Sequence, residues 1–390
     1  MLRPFIVDVA RSAVGRAGKG SLVDVRPDDL AAHVVRQLLA RNPEVSPESV
    51  DDLICGCGFP WGEQGYNLGR NISLLAGLPD HVPAQTITRL CASSLQALRA
   101  AAHAIMAGEG DTFLVVGVES TSRVGRGLEL ARVNPLLDPE CPDAVAGVFM
   151  PMGMTAERVA DRWNVSRNAM DAFAQRSQER AIAAQTSGFA AREIIPVQTP
   201  TGSVVEVDDS PRLNSSLESL AALEPVFRED GAVTAGNSCP LSDGAAAALV
   251  MSDSRARALG LTARVRILSS GVSAVDPTLM GVGPIKAIRT ALERAEVTID
   301  DIDVFELNEA FAAQVIPVCH EVGIDPMDDR VNPHGGGIAI GHPFGMTGLR
   351  IMSTLINGLE SRGGRFGIES MCVGGGQGQA MVVENLSVAR

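Results

Sequence analysis

An internal repeat is the feature that most constrains the fold of this chain. Residues 44–51 match residues 296–303 in chemical character, position by position, at a shift of about 252 residues. A second pair of segments agrees, because the helical pattern after Cys91 and the strand that follows it lie opposite residues 347–358 and 365–368 at nearly the same shift. Two matches in register predict that residues 1–120 and 263–390 are two copies of one unit.

Each copy alternates strand patterns with helix patterns. In the first copy, strands are predicted at residues 5–9, 50–58, 83–88 and 112–118, and helices at residues 28–40, at residues 67–75 and after Cys91. This alternation is typical of an α/β fold. It predicts a mainly parallel sheet that is covered by helices.

The repeat also locates an insertion. Residues 367–384 of the second copy have the pattern of a hairpin, in which a glycine-rich turn joins two strands. Their counterparts in the first copy are residues 115–120 and 244–251, which are about 120 residues apart, far beyond an ordinary hairpin loop. We therefore expect residues 121–239 to form a separate covering domain, with one helix from Thr155 to about Ser187, and residues 240–262 to complete the first half. An insert at a strand end is well placed to supply substrate contacts.

Composition excludes several classes of function. The net charge of -13 argues against nucleic acid as a partner, which requires a basic surface. No apolar run is long enough for a membrane span and no signal peptide is evident, so a cytoplasmic protein is expected. The seven scattered cysteines suit a reducing compartment. No histidine and cysteine cluster follows Cys55 and Cys57 at zinc spacing, so we expect a buried strand end there and no metal.

Cys91 stands directly before a stretch that is rich in alanine and leucine at helical spacing. Two interpretations are open at this position. The free N–H groups and the positive dipole end of a helix start favour the thiolate, which makes Cys91 a candidate nucleophile. A lone cysteine before an apolar helix is also often a small buried hydrophobic residue.

Three further motifs are candidates for a functional site. Asn308 stands between a strand and a helix, where it either contacts a ligand or caps the helix. His342 precedes the helix that repeats the Cys91 helix, so cysteine and histidine are predicted to meet if the two helix starts face each other. Cys372 and Gly374 belong to a glycine-rich turn whose free N–H groups are suited to hold an oxyanion. This turn precedes a strand and not a helix, which excludes a dinucleotide fingerprint.

These motifs resemble those of the thiolase family, and the resemblance covers all 390 residues. Arg89-Leu-Cys91-Ala-Ser is similar to the family's acyl-accepting cysteine motif, and Cys372-Val-Gly374 to its Cys-x-Gly. Asn308-Glu-Ala-Phe and Gly341-His342-Pro resemble two further family motifs. The resemblance implies a five-layer α-β-α-β-α fold of two like halves with a loop domain, and a homodimer or homotetramer.

The resemblance also implies the chemistry. In cleavage of a 3-ketoacyl-CoA, the Cys91 thiolate attacks the 3-keto carbon, Cys372 protonates the departing acetyl-CoA enolate, and CoA then takes the acyl group. His342 raises the thiolate fraction of Cys91. One oxyanion site is implied to consist of His342 and a water held by Asn308, and the other of the N–H groups of Cys91 and Gly374. Coenzyme A is a substrate in this scheme, and no cofactor is expected.

The same resemblance places Arg212, Cys239 and Met152 in contact with CoA. Arg212 matches a position that meets the adenine-side phosphate, although a solvated loop arginine is an equal interpretation. Cys239 stands where the family generally has a serine near the pantetheine arm.

Pro151 favours one branch of the family, because short-chain biosynthetic members carry a histidine there. A degradative 3-ketoacyl-CoA thiolase is therefore favoured over a short-chain acetyl-CoA acetyltransferase that forms acetoacetyl-CoA. A non-catalytic CoA-binding relative is expected to lack Cys91, His342 or Cys372, and this chain has all three. A ketoacyl synthase needs a second catalytic histidine where Asn308 stands.

Overall fold

Strands and helices alternate along both halves of the chain in a computed structural model that describes residues 2–124, 134–137 and 147–388. The strands are β1 Pro4–Arg11, β2 Gly15–Arg16, β3 Asp52–Cys57, β4 Ala84–Ile87, β5 Thr112–Ser120, β6 Val197–Gln198, β7 Val204–Val205, β8 Ser242–Ser252, β9 Val265–Ala274, β10 Ile302–Leu307, β11 Phe366–Val373 and β12 Gln377–Asn385. The helices are α1 Pro27–Arg41, α2 Leu68–Leu75, α3 Ser93–Ala107, α4 Thr121–Val124, α5 Met152–Trp163, α6 Arg167–Thr186, α7 Leu217–Ala221, α8 Asp253–Ala258, α9 Pro284–Ala295, α10 Ala312–Val322, α11 Gly337–Ile340 and α12 Thr347–Arg362.

The two halves share one strand order. The first half has the order β3-β5-β8-β1 and the second half has β10-β11-β12-β9. In each half the first pair is parallel and the next two pairs are antiparallel. The prediction of a mainly parallel sheet is therefore wrong, and the sheet is mixed. The reason is that a hairpin such as β11–β12 reverses direction across a tight turn without a crossover helix.

The halves differ at one sheet edge and meet at the other. Strand β4 extends the first half by pairing in parallel with β3. In the second half the equivalent position is occupied by Val331, which forms an isolated parallel bridge to Phe305 in β10. The two sheets join where β1 pairs with β9 through Phe5 and Ile6.

The helices and sheets form five layers. Along β5, Phe113 and Val115 pack into the core that contains α3 and α12, while Leu114 and Val116 pack into the core that contains α1 and α2. The second sheet likewise has α3 and α12 on one face and α9 and α10 on the other. Since successive side chains of a strand point to opposite faces, each sheet is covered on both sides. The predicted α-β-α-β-α fold is confirmed.

The two central helices touch at their starts. The Leu349 N–H in the first turn of α12 donates to Ser94 Oγ in the first turn of α3, at 3.1 Å. Gly348 permits this approach, because a Cβ atom at that position would collide with Leu95. The helix starts of the two halves therefore face each other, which is the arrangement that the His342 and Cys91 hypothesis requires.

The insertion lies between β5 and β8. These two strands pair antiparallel from the Thr112–Met251 contact to the Ser120–Asp243 contact, as the opened hairpin predicts. The single helix expected from Thr155 to Ser187 is wrong, because α5 and α6 are separate. Asn164 ends α5 in a left-handed conformation (φ 53°), and Ser166 caps α6 by accepting from the Ala169 N–H. The domain boundaries at residues 120, 239 and 262 remain predictions.

The described residues contain neither a membrane-spanning helix nor a cluster of metal ligands. None of the helices in the described ranges combines enough length and apolarity to cross a bilayer. Among the same residues, no three His, Cys, Asp or Glu side chains converge as metal ligands. Cys55 and Cys57 are buried at the end of β3, which is the location predicted for a strand end.

Candidate active site

Cys91 lies in a short 3-10 turn, Leu90–Ala92, immediately before α3. The Arg89 N–H donates to Ser93 Oγ at 3.0 Å, and the Ser93 hydroxyl donates to the Leu90 carbonyl at 2.6 Å. Leu90 is held in a left-handed conformation (φ 45°), which is uncommon for a residue with a side chain. These contacts fix the sulfur of Cys91 at the start of the helix, as predicted.

The protonation state of Cys91 is set by opposing effects. Burial raises the pKa of the Cys91 thiol to about 11, although the N–H groups of Gly374 and of Cys91 itself donate to the sulfur and act in the opposite direction. The negative charge of Glu119 raises the pKa further. The predicted effect of the N–H groups at the helix start, which favours the thiolate, is therefore present, but burial outweighs it. Cys91 is a thiol at neutral pH and requires a base.

The glycine-rich turn of the β11–β12 hairpin lies against the Cys91 turn. A Cβ atom on Gly374 would lie 2.7 Å from Leu90 Cδ1. Only glycine therefore allows the backbone to come close enough for the Gly374 N–H to reach the Cys91 sulfur. The N–H groups of Cys91 and Gly374 converge on one point, which is the geometry of an oxyanion hole.

Three sulfur atoms from distant parts of the chain lie near one another. Burial, followed by the charges of Cys91 and Cys239, raises the pKa of Cys372 well above its ordinary value. Burial and then the charge of Cys91 raise the pKa of Cys239 to about 12. Each thiolate thus disfavours ionisation of the others. The structure brings Cys91 and Cys372 together, with Cys239 beside them.

His342 is buried and carries no charge. Its Nδ1 lies 2.6 Å from Thr347 Oγ1, and the Thr347 hydroxyl donates its own proton to the Pro343 carbonyl at 2.7 Å. Thr347 therefore accepts from Nδ1–H, which leaves the lone pair on Nε2. Burial, followed by the positive charge of Arg350, lowers the pKa of His342 to about 3.

Asn308 lies at the open nitrogen of that imidazole. Asn308 Nδ2 is 3.2 Å from His342 Nε2, and the Asn308 N–H donates to the Ser370 carbonyl at 2.9 Å. The N-cap of α10 is Phe311, so the interpretation of Asn308 as a helix cap is wrong. Asn308 Oδ1 is buried without a partner in the described residues, as expected for an atom that faces a substrate or water.

Glu309 holds the Asn308 loop in place. Its carboxylate accepts from the Ser177 hydroxyl at 2.5 Å, the Asn332 side-chain amide at 2.7 Å and the Ile338 N–H at 3.2 Å. Ser177 belongs to α6, Asn332 to the loop that precedes α11, and Ile338 to α11. One carboxylate therefore joins the insert to two loops of the second half.

A second buried carboxylate, Glu119, is the penultimate residue of β5 and joins the halves. It accepts from the Gly58 N–H at 2.8 Å and from the Gly345 N–H at 2.9 Å, and Gln64 donates to it at 2.6 Å. Gly345 follows His342 in the same loop, so Glu119 anchors the histidine loop to the first half. Sequence reasoning missed Glu119 and the role of Thr347. The signal for Glu119 was an acidic residue directly after an apolar strand.

The predicted CoA contacts separate into two places. Arg212 and Arg16 line a cavity of about 60 Å³ together with Ser210, Ser238 and Pro240. Cys239 stands between the last two residues in the sequence but is not itself part of the lining. Among the described residues, neither guanidinium group forms an ion pair with a carboxylate within 4 Å.

Met152 does not line the arginine cavity. It begins α5, and its carbonyl accepts from the Thr155 hydroxyl at 2.7 Å. Thr155 in turn contacts Gln314, which lies beside Cys372. Met152 is therefore close to the second cysteine and separate from Arg212.

Taken together, the site offers a thiol at a helix start, a neutral imidazole whose Nε2 lone pair faces the Asn308 amide, a second thiol and a pair of converging N–H groups. These are the groups that acyl transfer through a cysteine requires. A fold of two like halves with this set at their junction defines a class of acyltransferases in which a cysteine carries the acyl group.

The chain belongs to the thiolase family. The family model described as "Thiolase, N-terminal domain" matches residues 4–254, and the model described as "Thiolase, C-terminal domain" matches residues 261–385. The protein is therefore an acyltransferase enzyme.

Individual relatives match over nearly the whole chain. A 3-ketoacyl-CoA thiolase of Serratia proteamaculans is 46% identical over 389 residues, covering 98% of this chain and 99% of the relative. One of Pseudoalteromonas translucida is 45% identical and covers 99% of this chain and all of the relative. The crystal structure of the Bacillus anthracis acetyl-CoA acetyltransferase superposes with a TM-score of 0.89 at 37% identity, covering 99% of both chains.

Proposed function

We propose that this protein is a 3-ketoacyl-CoA thiolase, which cleaves a 3-ketoacyl-CoA with CoA to give acetyl-CoA and a shortened acyl-CoA. The observation that carries the proposal is the proximity of Cys91 and Cys372 at the junction of the two halves, together with the neutral His342 in the loop that Glu119 anchors to the first half. The 3-ketoacyl-CoA thiolases at 45–46% identity support the same activity.

In the first half-reaction, His342 Nε2 takes the proton of Cys91 and the thiolate attacks the 3-keto carbon. The N–H groups of Cys91 and Gly374 stabilise the resulting oxyanion. The bond between C2 and C3 then breaks, its electron pair forms the enolate of acetyl-CoA, and Cys372 transfers its proton to C2. The imidazolium Nε2–H, with a water held by Asn308, stabilises the enolate oxygen.

In the second half-reaction, CoA removes the acyl group. The CoA thiol gives its proton to the Cys372 thiolate and its sulfur attacks the thioester carbonyl. The oxyanion forms again at the N–H groups of Cys91 and Gly374, and collapse of this intermediate expels the Cys91 thiolate, which takes its proton back from His342 Nε2. Each cysteine returns to its starting protonation state, so the cycle needs no cofactor besides its two substrates.

The remaining features of the proposal concern binding and organisation. We assign the CoA phosphates to the side of Arg212, with Cys239 and Met152 nearer the reacting end. An acidic protein needs such a local positive site for an anionic ligand.

We also propose that residues 121–239 cover the site, that the protein is a homodimer or homotetramer, and that it acts in the cytoplasm.

The second candidate function is a short-chain acetyl-CoA acetyltransferase, which runs the reaction toward acetoacetyl-CoA. The similarity to the Bacillus anthracis structure favours it, but at 37% identity against 45–46% for the 3-ketoacyl-CoA thiolases. Pro151, in place of the histidine of short-chain members, also favours the degradative enzyme.

The test is to mix the protein with acetoacetyl-CoA and CoA and to follow the loss of the 3-ketoacyl absorbance. Wild type is expected to consume the substrate, and Cys91→Ala is expected to be inactive because no acyl-enzyme forms. Cys319→Ala, which alters a buried cysteine in α10, is the matched control and is expected to remain active. Equal rates for wild type and Cys91→Ala contradict the proposal, and a series of longer 3-ketoacyl chains separates the two candidate functions.

A further inference from the structure

Gln314 forms a hydrogen bond with Cys372 that has no part in the mechanism proposed so far. The Cys372 Sγ lies 3.4 Å from Gln314 Oε1, and the thiol donates to the amide oxygen. Both residues are almost completely buried, with exposed fractions of 3% and 2%. The contact joins the first turn of α10 to the end of β11, directly at the proposed proton donor.

The orientation of the Gln314 amide is fixed from its other side. Gln314 Nε2 lies 3.4 Å from Thr155 Oγ1, and the Thr155 hydroxyl gives its own proton to the Met152 carbonyl at 2.7 Å. Thr155 can therefore only accept from Gln314. An amide nitrogen donates and has no lone pair to offer a thiol, so the oxygen must face Cys372.

The surrounding backbone is shaped around this side chain. A Cβ atom on Gly281 would collide with the Cγ and Cδ atoms of Gln314. The adjoining cavity has a volume of about 10 Å³ and is lined by Gln314, Asn308 and Cys372, among others. It has room for one water at most, so bulk water does not compete with the contact between sulfur and amide.

We propose that Gln314 is a positioning residue that holds Cys372 as a neutral thiol and fixes its sulfur beside C2 of the substrate. The inference rests on the proposed thiolase function. An amide oxygen accepts from S–H and repels a thiolate, so this contact favours the protonated form. In cleavage the proton passes from the sulfur to C2 of the enolate. In the reverse direction the C–H bond of acetyl-CoA breaks, its electron pair enters the enolate and the proton returns to the sulfur.

The two cysteines can be tested separately with acetyl-CoA. Exchange of labelled CoA into acetyl-CoA requires acyl transfer to and from Cys91. Exchange of the acetyl hydrogens with D₂O requires proton removal by Cys372. Cys372 also exchanges a proton with the CoA thiol during acyl transfer, but proton transfer between sulfur atoms is intrinsically fast, whereas proton transfer to and from carbon is slow and depends on the placement of the base. A misplaced Cys372 therefore slows the second exchange far more than the first.

Two variants act on the proposed contact. Gln314→Leu keeps the approximate size of the side chain and removes the acceptor. Thr155→Val keeps the shape and removes the group that orients the amide. Both are expected to slow deuterium incorporation by about 10- to 100-fold, because proton transfer depends on the placement of the acid–base group, and to leave labelled-CoA exchange within about twofold of wild type. Thr155→Val is expected to have the smaller effect.

Gln175→Leu is the matched control, since the one side-chain hydrogen bond of Gln175 to another described residue is with Glu179, on the surface of α6. It is expected to leave both exchanges unchanged. Unchanged deuterium incorporation in the two test variants, or an equal fall of both exchanges, overturns the inference. If Gln314→Leu does not fold, the ratio of deuterium incorporation to labelled-CoA exchange in Thr155→Val tests the inference. A ratio equal to that of wild type overturns it. Wild type that lacks both exchanges contradicts the proposed function itself.

Discussion

At the scale of single residues, the three reacting side chains of the site are all uncharged at rest. Burial keeps Cys91 and Cys372 as thiols, and burial together with Arg350 keeps His342 as a neutral imidazole. A low-dielectric interior penalises every isolated charge, so the resting site avoids them. Charge appears only when a proton passes from sulfur to nitrogen, next to groups that are already placed to stabilise it.

Asn308→Ala is expected to lower turnover by about 10²- to 10³-fold, which corresponds to the loss of one oxyanion donor. Its amide is the group that lies 3.2 Å from His342 Nε2. Steady-state rates with acetoacetyl-CoA and CoA measure the effect. Circular dichroism is expected to show an unchanged fold, and a wild-type rate in a folded variant would remove Asn308 from the site.

Thr347→Val is expected to lower turnover by about 100-fold through the histidine tautomer. Without the acceptor at 2.6 Å, the imidazole proton is free to move to Nε2, where the base is required. The pH–rate profile and kcat are the measurements. Thr347→Ser, which keeps the hydroxyl, is the control and is expected to retain most of the activity; equal losses in both variants contradict the role of the hydroxyl.

At the scale of secondary-structure elements, two neighbouring strands carry buried acids behind the site. Glu306 in β10 and Glu369 in β11 are register partners, and both are fully buried. None of their four carboxylate oxygens has a partner among the described residues. Burial is the main cause that raises the pKa of both side chains well above the ordinary value, although the charge of Arg350 on α12 opposes it. Both acids therefore stay protonated to a higher pH than an exposed carboxyl group does.

The pKa of Glu306 is higher in the folded protein than in the unfolded chain. The contribution of Glu306 to the free energy of unfolding is therefore complete below its pKa in the unfolded chain and is lost as the pH rises toward its pKa in the folded protein. Glu306→Gln mimics the protonated acid and removes this loss. As the pH rises, we expect the free energy of unfolding of the variant to increase relative to that of wild type, by at most about 1.4 kcal/mol per pH unit. Urea unfolding from pH 5 to pH 9 measures it, with the exposed Glu293→Gln on α9 as the control. Parallel curves for wild type and Glu306→Gln contradict the prediction.

The spacing of residues along the sequence predicted the positions of strands and helices more accurately than the pairing of the strands. The spacing of apolar residues is a local property, so the β1, α1 and α3 segments were found within a few residues of their observed ends. The break at Asn164 was missed because its left-handed conformation leaves no hydrophobic signal. The antiparallel pairing of β8 with β5 was predicted from the opened hairpin, but the antiparallel pairing of β8 with β1 was not, because it joins segments that lie far apart along the chain.

The same limit applies to the site. Cys91, His342 and Cys372 were found because family motifs and the repeat identify them. Gln314 had no role at the sequence level, since its importance depends on Thr155, which approaches it from the insert. Likewise, the pKa of Cys91 depends on burial between two halves, which the start of one helix does not reveal.

At the scale of the whole molecule, the site exists only where both halves meet. Glu119 joins them, because it accepts from backbone N–H groups of Gly58 and Phe59 in the first half and of Gly345 in the second. Burial raises the pKa of Glu119 to about 6. The contact between α3 and α12 closes the same junction from the helix side.

Glu119→Ala is expected to destabilise the protein by about 3 kcal/mol or more, because buried N–H groups lose their acceptor at about 1–3 kcal/mol each. Thermal unfolding and urea titration measure the loss. Glu119→Gln, which keeps one acceptor oxygen, is expected to lose less. A melting temperature in Glu119→Ala equal to that of wild type would show that the junction does not depend on this carboxylate.

The arginine cavity has a consequence for how such enzymes diversify. Most of its lining residues, including Arg212 and Ser210, come from the segment between residues 121 and 239, whereas the sulfur and imidazole groups come from the duplicated halves. Natural selection can therefore reshape ligand preference in one part of the gene while the bond-breaking apparatus, encoded elsewhere, is inherited unaltered.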